Sequence, residues 1–136
     1  MSPRRKELPA PLVPAYEAFV HVLEVLEPAK AGLTDVLPGT RMPGRPLADA
    51  LAAFEAGLGE AGPRMEGWRV PPLEDEWTAC RDGLGAASAL ARRARAEEPD
   101  LAGFEGLLAL VEQLLDPLEP FADAEERFRS LRRRGG

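Results

Sequence analysis

The chain has 136 residues, of which 45% are hydrophobic and 29% charged, with a formal net charge of −6. That length suits one domain able to bury about two-thirds of its unfolded surface, enough for a core without disulfides or structural metals. The balance excludes a disordered chain, and the single cysteine, Cys80, excludes an internal disulfide or a cysteine metal cluster.

Ala, Leu, Glu and Arg dominate. Ile is absent, and the only threonines are Thr34, Thr40 and Thr78, so helix formers far outweigh strand formers. The N-terminal MSPRRKELPAP lacks the apolar run of a signal peptide. The stretch from Ala18 to Leu26 is too short to span a bilayer and carries His21 and Glu24. A reducing, cytoplasmic setting without a transmembrane segment is expected.

Apolar residues at helical spacing define the elements. Leu12, Tyr16, Phe19, Leu23, Leu26, Leu33 and Leu37 mark the first helix, which Pro38-Gly39 ends. A turn-rich loop follows from Gly39 to Arg45, and Pro46 suits the first position of the next helix. Leu47, Leu51, Phe54, Leu58, Ala61, Met65 and Trp68 form the second stripe, with a break or kink expected at Pro63. Beyond the stiff connector Arg69 to Pro72, the third stripe is Leu73, Trp77, Cys80, Leu84, Ala87, Ala91 and Ala94. Glu74, Asp75 and Glu76 begin that helix, and Arg92, Arg93 and Arg95 end it, as the helix dipole favours.

Asp100 reads as an N-cap for the fourth segment, whose stripe is Leu101, Phe104, Leu108, Val111, Leu115 and Leu118. Pro117 and Pro120 are expected to bend this helix. The alternative is a helix ending near Asp116 and a second short one after it. The fold expected is all-α: a single-domain antiparallel four-helix bundle over residues 1–136, up-down-up-down, with proline-kinked helices and flexible basic tails at 1–9 and 132–136. Ala52, Ala53, Ala56, Gly57 and Gly59 are expected to face Gly83, Gly85, Ala86, Ala87, Ser88 and Ala89, where small side chains let two helices approach.

This order brings both termini to one end, with two consequences. Arg4, Arg5, Lys6, Arg127, Arg129, Arg132, Arg133 and Arg134 would gather there, leaving nine of the 17 cations among all 23 acids between Glu7 and Glu126. A basic end on an acidic body is a candidate surface for an anionic partner, or a pair of solvated tails. Tyr16, Phe19, Trp68, Trp77 and Phe121 would share the same third of the bundle, with Phe128 beyond them, as core or as the wall of a ligand pocket. On the first helix, Glu17, His21 and Glu24 make one narrow polar stripe. Val13, Val20, Val22 and Val25 widen the apolar side into a candidate homodimer face.

Chemistry is sparsely represented. His21 is the sole histidine, and Cys80 sits in an apolar stripe where a thiol is ordinary packing. Carboxylate di-metal bundles need paired Glu-x-x-His motifs, which are missing here. Gly57-Leu-Gly59 and Gly83-Leu-Gly85 lie inside helical patterns with no preceding strand, so neither is a phosphate loop. The ending Leu131 to Gly136 resembles the diglycine tail of ubiquitin-like modifiers, but no strand pattern here matches their β-grasp domain, and the likeness is read as coincidence. No catalytic residue, metal site or cofactor is assigned. The expected function is non-enzymatic: a helical bundle that binds another protein or itself. The alternative is a small-molecule-binding bundle with the aromatic pocket, and nucleic acid ranks below both as a partner.

Overall fold

The computed structural model describes residues 6–35, 47–97 and 103–134. Among these the fold is all-α. Helix α1 spans Val13–Thr34 after a 3-10 turn at Ala10–Leu12. Helix α2 spans Leu47–Arg64 and winds on into a 3-10 turn at Met65–Trp68. A second 3-10 turn, Pro71–Leu73, leads into α3, Glu74–Glu97. Helix α4, Gly103–Leu115, is joined to α5, Pro120–Ser130, by a 3-10 turn at Asp116–Leu118. A two-residue antiparallel ladder pairs β1, Lys6–Glu7, with β2, Arg133–Arg134. No helix among the described residues is long and apolar enough to cross a membrane.

The prolines explain the breaks. Pro63 offers no N–H to the carbonyl of Gly59 and its ring crowds that carbonyl; α2 ends one residue later and tightens into the 3-10 turn. Pro117 and Pro120 remove two donors close together. The chain after Leu115 therefore cannot continue as a merely bent helix. It forms 3-10 turns closed by Glu119 N–H to the Asp116 carbonyl (3.1 Å) and Ala122 N–H to the Glu119 carbonyl (2.9 Å). Two helices, the alternative reading of the sequence, are what this segment makes. Helix α1 ends at Thr34, short of the expected Leu37, with Asp35 as its C-cap; the loop from Gly39 to Arg45, the helix start at Pro46 and the Asp100 cap lie outside the described residues.

The stripes form the core. Phe19, Val22, Leu26 and Leu33 of α1, Leu51, Phe54 and Leu58 of α2, Trp77, Cys80 and Ala87 of α3, Val111 and Leu114 of α4, and Phe121 and Phe128 of α5 are buried together. No polar or charged residue is buried among the described residues, so the interior is held chiefly by apolar burial, with the buried indole N–H groups of Trp68 and Trp77 donating to the sulfur and the carbonyl of Met65.

Close approach falls at different places from those expected. A Cβ on Gly57 would lie 2.7 Å from the Ala29 Cβ, and one on Gly67 would lie 2.6 Å from the Ala18 Cβ, so these glycines let α2 and its 3-10 extension close on α1. Gly83 presses α3 against the carbonyl of Pro117. The pairing of small residues between α2 and α3 is formed only in part, with Ala87 buried and Ala52 and Ser88 half-buried. Ala53, Ala56, Gly59, Gly85, Ala86 and Ala89 are exposed, because at 100° per residue they point away from the buried stripes of their own helices.

Candidate functional site

Four of the five sequence-predicted rings meet. Phe19 is the hub: its ring lies 4.9 Å from Trp68, 5.1 Å from Phe128 and 6.4 Å from Phe121, centroid to centroid. Tyr16 sits edge-on to Phe128 at 5.3 Å, and Trp68 lies 6.2 Å from Phe128. These are the separations at which aromatic pairs attract. Phe128, which the sequence reading set beyond the cluster, is at its centre. Trp77 stands apart. Its indole N–H donates to the Met65 carbonyl (2.8 Å), and the guanidinium groups of Arg69 and Arg81 lie 4.2 Å and 5.3 Å from its ring.

The rings fill the space between them: Phe19, Trp68, Phe121 and Phe128 are all buried, and Tyr16 is half-buried. A groove of about 290 Å³ opens beside the cluster, between α1 on one side and the 3-10 turn and α5 on the other. Leu23, Leu115, Leu118, Phe121 and Ala122 form its apolar lining, and Glu27, Lys30, Glu119 and Glu125 its polar rim. It shares only Phe121 with the predicted pocket. Of the remaining lining residues, Leu23, Leu115 and Leu118 read in the sequence as ordinary stripe positions and the others carry no signal, because a groove between helices leaves no periodic pattern.

The basic residues divide into two groups. Arg127 lies 3.7 Å from Glu76 and its Nε–H donates to the Pro72 carbonyl (3.4 Å). Arg129 reaches Glu126 at 3.0 Å and Glu125 at 3.8 Å. These two are already balanced by acids. Arg132 places its guanidinium 5.4 Å from the Tyr16 ring, and the ladder sets Lys6 opposite Arg134 and Glu7 opposite Arg133. The ladder falls in stretches read from sequence as free tails; a pairing between residues so distant in the chain has no local signature. Arg4 and Arg5 lie outside the described residues.

On α1, Glu17, His21 and Glu24 share an exposed face, with His21 Nδ1 3.6 Å from the Glu24 carboxylate. The four valines do not form one face. Val22 is fully buried in the core, whereas Val13 is 40% exposed and Val20 and Val25 are half-buried. Helical spacing puts Val22 on the side opposite Val13 and Val20, with Val25 nearer Val22, so the candidate dimer face reduces to Val13 and Val20.

Among the described residues, two ionisable groups are perturbed. Burial pushes the Cys80 thiol up to about 12, and the negative charges of Asp123 and Glu76 add to this. The sulfur is therefore a protonated packing group rather than a nucleophile. Glu55 is held below its ordinary range chiefly by the hydrogen bond from Arg95 (2.5 Å); burial opposes this, and Arg92 (3.4 Å) adds to the lowering. Among the described residues, no group of three or more His, Cys, Asp or Glu is arranged to hold a metal. Compared with protein-family models, curated proteins and solved structures, the chain showed no match.

Proposed function

We propose that this chain is a single-domain, cytoplasmic four-helix bundle in up-down-up-down order, with α4 and α5 together making the fourth rod, that it binds another protein through its basic end, and that it performs no chemistry of its own. The topological part is supported by contacts that run in opposite order along successive helices. Ala18 meets Gly67 and Ala29 meets Gly57. Met65 meets Trp77 and Glu55 meets Arg95. Glu76 meets Arg127 and Gly83 meets Pro117.

The observation that carries the binding reading is the ladder. It draws Lys6 from one terminus beside Arg133 and Arg134 from the other, next to Arg132. Cations so concentrated, without equal numbers of acids, attract an acidic protein surface and fix its orientation more than they add affinity. Arg127 and Arg129 contribute less, being paired already.

The test is affinity purification with the intact chain and with a variant carrying Arg132→Ser, Arg133→Ser and Arg134→Ser, at low and high salt, followed by mass spectrometry. The expected result is a partner retained by the parent at low salt, released by salt and missing from the variant. Equal recovery by the two proteins would refute the reading.

A further inference from the structure

The groove beside Phe121 has a structural origin. Gly83 lets the Asp116–Leu118 turn press directly on α3, and α5 follows it onto α3. The backbone of α5 is thereby drawn away from α1, and the two approach each other at few points. At one end the gap is spanned by the rings of Tyr16, Phe19, Phe121 and Phe128. Further along, opposite Leu23, Glu27 and Lys30, the facing residues are Leu115, Leu118, Glu119 and Ala122, and the gap between them stays open.

Its chemistry is two-part. The floor is apolar, with Leu118 and Phe121 buried and Leu23 and Leu115 half-buried. The rim carries three acids, Glu27, Glu119 and Glu125, against one cation, Lys30; Glu27 lies 3.5 Å from Lys30 and Glu125 lies 3.8 Å from Arg129, which leaves Glu119 as the rim acid with no ion pair among the described residues. The volume lies at the lower limit of small-molecule sites, but suits one or two apolar side chains inserted between helices.

We propose that this groove docks an amphipathic helix of a partner protein, with an apolar row seated on Leu23, Leu118 and Phe121 and flanking lysines or arginines facing Glu27, Glu119 and Glu125. This is the helix-in-groove mode of recognition, with charge setting the preference. The site does not depend on the basic end, and its occupant has the opposite charge.

The probe is a synthetic Leu/Lys helix about four turns long, titrated into the intact chain by fluorescence anisotropy and followed by amide chemical shifts. Its Leu/Glu counterpart and n-octylammonium are the comparison ligands. The Leu/Lys helix is expected to bind with shifts at Leu23, Lys30 and Leu118 to Glu125, and the Leu/Glu helix to fail. Glu119→Lys should weaken binding roughly tenfold or more. Glu60→Lys, an equal charge change at an exposed site on α2, should leave it within about twofold. The proposal is overturned by no binding, by shifts elsewhere, by equal losses in the two variants, or by octylammonium filling the groove while the helix does not. None of these outcomes bears on the basic end, which the arginine variant tests separately.

Discussion

Replacing Gly83 by alanine tests the contact on which the lower half of the fold is hung. The added Cβ would overlap the Pro117 carbonyl oxygen and lie 3.1 Å from its carbon. Neither atom belongs to a flexible side chain. The Pro117 ring fixes its φ, and the turn around it is closed by the bond from Glu119 N–H to the Asp116 carbonyl. The strain must be relieved by moving α3 and the turn apart, so the upper part of the usual overpacking range, about 3 kcal/mol, applies. Alanine returns up to about 1 kcal/mol through its better helix propensity. The net loss is about 2 kcal/mol, or roughly 8 °C in melting temperature for a chain of this size. Gly85→Ala is the matched control, since an added Cβ there meets nothing within 4 Å. It should gain roughly 0.5–1 kcal/mol. Thermal and urea unfolding followed by circular dichroism would measure both. If Gly83→Ala matches or exceeds the stability of Gly85→Ala, the close-approach argument is wrong.

Phe128→Ala, which removes the ring touching Tyr16, Phe19 and Trp68, should cost about 3–5 kcal/mol in urea unfolding; a loss under about 1 kcal/mol would show that the cluster does not set stability. Cys80, buried and with its thiol pushed up to about 12, should resist a thiol-reactive disulfide reagent at mildly alkaline pH until the chain is unfolded in urea; rapid labelling of the native protein would contradict this. Glu55 has its folded pKa lowered by Arg95 and Arg92, so its contribution is present above its ordinary value of 4.5 and is lost as pH falls through the folded value. Glu55→Gln should therefore cost something near neutrality, under about 1 kcal/mol because both arginines are well exposed, and nothing in strong acid. A penalty that grows on acidification would reverse the assigned sign.

Helix identity was legible because it depends on short-range spacing. The stripe from Leu47 to Trp68 and the stripe from Leu73 to Ala94 predict the buried residues of α2 and α3 almost position by position. Proline chemistry was legible too, at Pro63 in full and at Pro117 as the second choice. What escaped the sequence is set between elements. The Gly83–Pro117 contact, the ladder between Lys6 and Arg134, and the groove beside Phe121 each join residues far apart in the chain, and no local pattern encodes such partners. Phe128 was misplaced for a related reason: its stripe position is plain, but how deeply it seats depends on how closely α5 comes to α1. Val22 was a different kind of error, since its angular position on α1 follows from counting residues alone.

The interruption at Asp116–Leu118 also divides the last quarter of the chain into two cooperative units. No continuous ladder of i to i−4 hydrogen bonds links α4 to α5, so fraying that starts in α4 has no helical path into α5. Helix α4 is anchored by Val111 and Leu114, while α5 is tied in by Phe121, Ala124 and Phe128. In hydrogen–deuterium exchange the two should behave as separate foldons: amides of α4 would exchange through a partial opening, and those around Ala124 and Phe128 only with global unfolding.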